Sequence, residues 1–208
     1  MLKEGVTGNG TTNVQPGDIK YRDLDGNLEI GDADRTIIGN PLPKHTGGFA
    51  NNFSYRGIQL HLFFQWSYGN DAMNANRIIF EGNALNRMNL NQYSSYENRW
   101  TPDNPSNTLP RIGGQGLRGV YSSRTIEDAS FIRLKTFSLG YDIPSQFLKR
   151  LHINSAQVSL SAQNLLTWTK YSGMDPEVSV RYSALTQGFD YSAYPRSRSY
   201  TVDIRLTF

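Results

Sequence analysis

The chain contains no cysteine among its 208 residues, which excludes a disulfide framework, thiolate metal ligands and a cysteine nucleophile. It also lacks any apolar run near the roughly 20 residues that a membrane-spanning helix needs. Its 21 lysines and arginines form no basic block, so the sequence predicts no nucleic-acid partner. Residues 1–10 hold no apolar stretch that would serve as the core of a signal peptide. We therefore expect either a cytosolic protein or a fragment whose export signal lies upstream.

Catalytic motifs are missing as well. The three histidines stand apart from one another, at His45, His61 and His152. The sequence holds no nucleophile motif and no glycine-rich phosphate loop after a strand. It therefore predicts no enzyme, no catalytic residue and no organic cofactor.

What the sequence does contain is the side-chain alternation of β-strands. The last ten residues, 199–208, place every second side chain on one face, and those side chains are apolar: Tyr200, Val202, Ile204, Leu206 and Phe208. A tilted strand that crosses a bilayer has a similar length, about 9–11 residues. Taken alone, this stretch favours an amphipathic strand of a soluble sheet, since single barrel strands give a weak signal.

Four further segments repeat the pattern: residues 47–55, 58–68, 130–141 and 156–168. The first two flank an Arg56-Gly57 pair and predict a β-hairpin with a very short turn. The second of them ends in Trp66 and Tyr68, as an aromatic girdle at a membrane interface requires. The third switches face part-way along, which predicts a bulge near Lys135.

The connections between these five strands alternate in length. The hairpin turn and residues 142–154 are short, whereas residues 69–123 and 169–198 are long and polar. Outer-membrane barrels have short periplasmic turns and long external loops. The sequence therefore predicts an all-β fragment of a large transmembrane barrel, made of antiparallel strands. Residues 47–208 would hold the strands and the two long outer loops, and residues 1–46 would form a further extracellular loop.

Residues 23–34 carry acidic side chains spaced like those of a calcium-binding loop. Oxygen-bearing side chains occupy positions 1, 3, 5 and 12 of the motif, and position 8 is apolar. The glycine stands at position 4 instead of 6, and position 12 is the shorter aspartate. The alternative is an acidic loop whose side chains cap their own backbone. The candidate ligands of a Ca²⁺ ion are Asp23, Asp25, Asn27, Glu29 and Asp34.

Aromatic residues in and beside the long connections are candidates for contact with a sugar substrate. Aromatic rings stack on the apolar faces of sugars because both surfaces are flat and poorly hydrated. The candidates are Trp100, Tyr121, Trp168 and Tyr171. The alternative role for these rings is an interfacial girdle or a loop packed against neighbouring loops.

Five motifs follow one another along nearly the whole chain. They are DLDGN with DADRTIIGNPLP (23–43), GGF with FSYRGI (47–58), EDASFIRLK with LGYDIP (127–144), AQNLLTWTKYSGMDPE (162–177) and YPRSRSY (194–200). In this order they resemble the C-terminal part of the SusC/RagA-type TonB-linked outer-membrane transporters of Bacteroidetes. The resemblance implies a 22-stranded barrel around an N-terminal plug, of which this chain would hold the last few strands.

The resemblance also implies a function. It implies part of a TonB-dependent importer of glycans or peptides in the bacterial outer membrane, with loops on the cell surface. The implied partners are a SusD-like lipoprotein, the TonB system through the missing N-terminal part, the lipid bilayer and the outer-membrane assembly machinery. Tyr200 and Phe208 would form the signal that this machinery reads. Asp175 and Glu177, a carboxylate pair that would suit a glycosidase, are expected to belong to a loop.

A secreted, calcium-stabilised β-sandwich that binds carbohydrate or protein is the alternative for the whole chain. It would account for the acidic loop and the aromatic residues without a membrane. Extraction separates the two hypotheses, because a monomeric chain that folds cooperatively in buffer without detergent would contradict the barrel.

Overall fold

The computed structural model describes residues 15–81, 90–115, 121–177, 179 and 186–208. The chain divides into two compact units. The sheet unit consists of Pro41–Asp71, Asp128–Val178 and Tyr194–Phe208, and the connection unit consists of Met1–Asn40, Ala72–Glu127 and Ser179–Ala193. Among the described residues, no helix combines the length and the apolar character needed to cross a membrane.

The described residues form eight strands and two short α-helices. The strands are β1 (His45–Tyr55), β2 (Ile58–Tyr68), β3 (Asp71–Asn74), β4 (Ile126–Asp128), β5 (Phe131–Asp142), β6 (Ser155–Thr169), β7 (Phe189–Asp190) and β8 (Ser199–Thr207). The helices are α1 (Asn76–Phe80) and α2 (Ser145–Leu148). The five long strands form one antiparallel sheet in the order β1-β2-β5-β6-β8. All five predicted strands are therefore confirmed.

The register of this sheet lines up apolar side chains across all five strands. One row runs through Phe53, Leu60, Leu139, Leu160 and Val202, and the next through Tyr55, Ile58, Tyr141, Val158 and Ile204. All of these side chains except the half-buried Leu60 are exposed, with Phe53 at 57% and Ile204 at 68%. A β-sandwich buries such a face against a second sheet. The sandwich alternative is therefore wrong for this sheet.

A bulge keeps the apolar face continuous along β5. Phe63 and Phe64 are consecutive in β2, yet their partners in β5 are Thr136 and Leu134, so Lys135 is an extra residue. The apolar residues of this face before Lys135 have even numbers and those after it have odd numbers, and the extra residue brings both sets to the same side of the sheet. The predicted bulge near Lys135 is therefore confirmed. The pairing of β5 with β6 is irregular at the same place, and Asn164 of β6 has a positive φ of 52° there.

Aromatic side chains border the apolar face at both ends. Tyr55 and Tyr141 lie at the end of the short connections, and Trp66 and Trp168 share a row near the opposite end, one row before Tyr68 at the end of β2. Gly47 lies opposite Trp66, and a Cβ atom at this position would collide with the indole ring. Between the two borders β2 rises roughly 27 Å, close to the apolar band of about 25 Å in outer-membrane barrels.

Both short connections lie at the same end of the sheet. The β1–β2 turn has φ values of 47° at Arg56 and 84° at Gly57, as a type I′ hairpin turn requires. The β5–β6 connection contains α2 and returns to the sheet at Ser155, which pairs with Thr207 near the end of β8. The long connections therefore all leave from the opposite end.

The connection unit has its own small core. A three-stranded sheet has the order β4-β3-β7, and α1 follows β3 along the chain. Ala72, Ala75, Ile79 and Leu109 are buried. This unit gathers residues that precede the long strands together with residues from both long connections. The compact units thus divide the chain differently from the predicted boundary at residue 46. The extracellular location of residues 1–46, 69–123 and 169–198 stays a prediction.

Candidate functional site

A buried ion-pair cluster lies on the polar face of the five-stranded sheet. Arg133 of β5 is 2% exposed. Its cross-strand partners are Gln65 and Thr167, so its side chain lies on the face opposite the apolar rows. Its Nη2 donates to Asp175 Oδ1 at 2.5 Å and its Nη1 donates to Glu177 Oε2 at 3.0 Å. Its Nε donates to Thr167 Oγ1 at 3.0 Å. Every nitrogen of the guanidinium group therefore has a partner.

Asp175 connects this arginine with two stretches of backbone. Its Oδ1 accepts the N–H of Glu177 at 2.9 Å, and its Oδ2 accepts the N–H of Arg196 at 3.1 Å. Arg196 also reaches Glu177, with Nε 3.1 Å from Oε2. Both carboxylates are thus held in ion pairs with arginines.

On the polar face nearer the short connections, uncharged hydrogen-bonding groups of β1, β2, β5 and β6 surround Asp142, and β8 adds Asp203 and Arg205. Asp142 accepts the side-chain amide of Gln59 at 2.8 Å through Oδ2 and that of Gln157 at 2.9 Å through Oδ1. His61 Nδ1 lies 2.6 Å from Asn52 Oδ1. Asn52, Gln59, His61 and Gln157 line a shallow groove together with Ser138 and Ser159. Such a surface is suited to water and polar ligands rather than to lipid.

The acidic loop brings together three of its five predicted ligands. Carboxylate oxygens of Asp23, Asp25 and Asp34 all lie within 4.8 Å of one another. Asn27 turns its amide toward Asp25, and its Nδ2 donates to Oδ2 at 2.9 Å. Glu29 is not a member of this carboxylate group. The three grouped carboxylates fit a small oxygen-seeking cation in donor type but supply fewer ligands than the six to eight that Ca²⁺ takes.

Backbone N–H groups of the same loop already bind these carboxylates. Asp23 accepts the N–H of Gly26 at 2.7 Å and that of Leu28 at 3.0 Å. Asp34 accepts the N–H of Leu24 at 2.7 Å and that of Gly31 at 2.6 Å. These bonds form the self-capped loop that the sequence offered as the alternative. Calcium binding at Asp23, Asp25, Asn27, Glu29 and Asp34 stays a prediction.

We expect Asp23→Ala to loosen this loop in the presence of a chelator. Two backbone N–H groups lose their acceptor, and each such bond contributes about 0.5–1.5 kcal/mol. Protease cleavage within residues 23–34 should become faster, whereas Asp103→Ala, which removes an exposed carboxylate elsewhere, should leave it unchanged. The calcium hypothesis predicts further protection of the unsubstituted loop when Ca²⁺ is added, and Asp25→Asn should abolish that gain. Equal cleavage with and without Ca²⁺ would contradict calcium binding and support the self-capped loop.

The structure separates the four aromatic candidates for sugar contact. Tyr171 is 5% exposed with its ring against Gly173, which favours the alternative of a loop packed against its neighbours, and sugar contact stays a prediction for this ring. Trp100 is half-buried with its ring against Gly17. Trp168 projects from the apolar face of the sheet, which favours the interfacial alternative. Tyr121 is 71% exposed, and for this ring sugar contact stays a prediction.

The residues predicted as an assembly signal lie at the two ends of the last strand. Tyr200 is 63% exposed and faces the same side as Val202 and Ile204. Phe208 follows the end of β8 and is 79% exposed. Both side chains are accessible to a partner, and their role in assembly stays a prediction.

A second ion-pair cluster, in the connection unit, was not predicted from the sequence. Glu81 Oε2 accepts Arg77 Nε and Arg124 Nη1, each at 2.9 Å, and Arg77 Nη1 also lies 3.2 Å from Glu127 Oε1. Burial lowers the pKa of Arg124, and Glu81 opposes this shift. Burial likewise raises the pKa of Tyr21 to about 12, against the positive charge of Arg124. Arg77 and Glu81 are four residues apart, which is a local signal for one pair, but Arg124 and Glu127 come from a distant segment, so no local motif could reveal the whole cluster.

The chain is similar to TonB-dependent receptors along most of its length, although no protein-family model matches it. TonB-dependent receptor P3 of Formosa agariphila is 37% identical over 93% of this chain and 19% of the relative, and receptor P26 of the same organism is 33% identical over 92% and 20%. TonB-dependent receptor SusC of Bacteroides thetaiotaomicron is 24% identical over 94% and 18%. The solved structure of the RagAB peptide transporter matches with a TM-score of 0.71 and 34% identity, over 86% of this chain and 19% of that chain.

These similarities and the two-faced antiparallel sheet define a segment of the β-barrel of a TonB-dependent receptor. The chain belongs to the SusC/RagA type of these receptors. It spans about a fifth of the length of the relatives, at 19% and 20% of receptors P3 and P26. The predicted family and the predicted barrel strands are therefore confirmed.

Proposed function

We propose that the chain forms part of the wall of an outer-membrane transporter that imports nutrients with energy supplied through TonB. The observation that carries this proposal is the five-stranded sheet itself, with exposed apolar rows on one face and polar residues on the other. A barrel wall needs this division, because one face meets lipid and the other meets water. The similarity to RagAB and to SusC supports the same function.

The two ends of the sheet support one orientation in the membrane. Short connections at one end and long connections at the other match the periplasmic turns and external loops of outer-membrane barrels. In this orientation the Arg56-Gly57 turn and Phe208 lie at the periplasmic side. The cluster around Arg133 lies near the outer mouth of the barrel.

The polar face supports an interior that carries a hydrated, polar cargo. Its side chains near the short connections include amides, hydroxyls and one histidine near Asp142, beside Asp203 and Arg205 of β8. Such groups form hydrogen bonds with glycans and with peptides alike. We propose these two substrate classes and a SusD-like surface lipoprotein as the partner, because the matched structures are described as RagAB peptide importers and a matched relative is SusC.

Uptake by cells tests the proposal. Deleting the gene of the receptor that contains this chain should reduce accumulation of either fluorescent oligopeptides or fluorescent oligosaccharides, and the wild-type gene should restore it. A protonophore should stop the restored uptake, because TonB uses the proton gradient of the inner membrane. Equal accumulation of both probes in deleted and complemented cells would contradict the importer.

Removal of the SusD-like protein encoded in the same genome would test the partner separately. Loss of uptake at low probe concentration, with the receptor still present in the outer membrane, is the expected result. Unchanged uptake would exclude this partner and leave the importer itself in place.

A further inference from the structure

One stretch of the second long connection lies on the polar face of the sheet. We name residues 171–177 the strap. Two carboxylates of the strap, Asp175 and Glu177, bind Arg133, whose side chain projects from the polar side of β5. Tyr171 at the start of the strap is 5% exposed. Under the proposed function this face lines the barrel, so the strap is the part of an outer loop that reaches the interior.

The strap carries a large apolar side chain on an anchored backbone. Met174 is 77% exposed, although its neighbour Asp175 is 4% exposed. Unbranched methionine side chains adapt to many ligand shapes. The anchoring of Asp175 thus fixes the backbone from which Met174 projects.

Arginine is the side chain suited to this anchoring. Its three nitrogens bind Thr167 on β6 and both carboxylates of the strap at the same time. A lysine at this position would bring a single nitrogen and could not match the planar fork. Asp175 in turn links to the backbone of Arg196, which approaches β8. Arg133 and Asp175, which we call the clasp, therefore connect β5, β6, the strap and the approach to β8.

Loss of the Arg133 side chain should release the strap from the sheet. Asp175 would then be a buried carboxylate without a cation, and such a charge is costly unless it returns to water. Glu177 would keep Arg196, which is more exposed. The least costly response is therefore an outward movement of the strap around Asp175.

We infer that Arg133 is a positioning residue of the importer, which acts through Asp175 to hold the strap and Met174 in place on the interior face. This inference rests on the proposed function. Loss of the clasp should weaken apparent affinity for the nutrient, because the strap no longer presents one fixed surface. The maximal rate should change little, since Arg133 takes no part in energy coupling.

The experiment uses the whole receptor in its native outer membrane with Arg133→Lys and Arg133→Met. Arg205→Met is the matched control, because it removes an exposed arginine of β8 on the polar face of the same sheet. Hydrogen exchange at the amides of Glu177 and Arg196, both bound to Asp175, reports on the clasp directly. Uptake rates over a range of probe concentrations give KM and the maximal rate.

We expect exchange at these two amides to accelerate about tenfold or more in Arg133→Met, as for the loss of a buried ion-pair partner. A smaller acceleration is expected in Arg133→Lys, which keeps the charge and loses the planar fork. KM should rise several-fold at a similar maximal rate, and Arg205→Met should alter neither quantity. Unchanged exchange in Arg133→Lys and Arg133→Met would overturn the clasp. Accelerated exchange with an unchanged KM would overturn the positioning role.

Failure of the proposed function has a different signature. Wild-type cells would then take up neither probe, while the exchange measurement would still decide whether Arg133 holds the strap. If Arg133→Met lowers the amount of receptor in the membrane, Arg133→Lys keeps the charge and serves as the deciding variant.

Discussion

Leu160→Arg should lower the free energy of unfolding of the receptor in a bilayer by about 1–3 kcal/mol, between the cost of a cationic side chain at the interface and its cost at the bilayer midplane. Leu160 lies between Leu139 and Val202 in a row of five apolar residues, one row inside the Tyr141 border of the apolar face. It is 43% exposed, so no protein group compensates a charge there. The reason for the loss is the poor hydration of a guanidinium group among lipid chains.

Ser161→Arg is the matched control, because Ser161 is the next residue of the same strand and faces the polar side. Its neighbours across the sheet are Ser138 and Thr201. Urea unfolding of the receptor in lipid vesicles gives both free energies, and the fraction of folded receptor in outer membranes gives a second readout. Similar losses for the two variants would contradict the assignment of the apolar face to lipid.

The strands were predictable because their signal is local and is repeated. In a barrel wall, lipid selects every second side chain, so the alternation is carried by the sequence itself. The bulge was predictable for the same reason, since an extra residue at Lys135 is the simplest way to keep Leu134 and Phe137 on one face. The acidic loop was predictable for the same reason, because the hydrogen bonds described for it join residues close in sequence, at most ten apart, as from Leu24 to Asp34.

The clasp was not predictable, because its partners are distant in sequence. Arg133 and Asp175 are 42 residues apart, and Arg133 and Glu177 are 44 apart. The one local signal was a charged residue between Ile132 and Leu134 in an apolar segment. Such a signal does not indicate which distant residue pairs with the charge. The burial of Tyr171 was not predictable for a related reason, since the sequence does not distinguish an aromatic residue whose ring is buried beside a strand from one whose ring is accessible to a ligand.

The connection unit was missed because it has no sequence period of its own. Its residues come from three separate stretches of the chain, and its strands are two to four residues long. Strands this short give too few alternations to be recognised. Contacts between residues distant in sequence, such as the ion pair of Glu81 with Arg124, must therefore hold the segments of this unit together.

Glu81→Ala should therefore destabilise the connection unit by about 3 kcal/mol, as for removal of one partner from a largely buried ion pair. In the described part of the chain, Glu81 is the only carboxylate within ion-pair distance of Arg124, and the two side chains are 10% and 14% exposed. Arg77 keeps Glu127 in the variant, whereas Arg124 retains a buried charge without a partner.

Hydrogen exchange in the whole receptor measures this loss within the unit. The amides of Ala75 and Thr125 donate to backbone oxygens of Asp190 and Ser122, so they report on β3 and on the turn that carries Arg124. Both should exchange faster in Glu81→Ala and less so in Glu81→Gln, which keeps one acceptor oxygen. Glu97→Ala, at an exposed glutamate of the same unit, should have no effect. Equal exchange in Glu81→Ala and Glu97→Ala would show that the unit is held by its apolar core alone, because the charge on Arg124 would then be hydrated without Glu81.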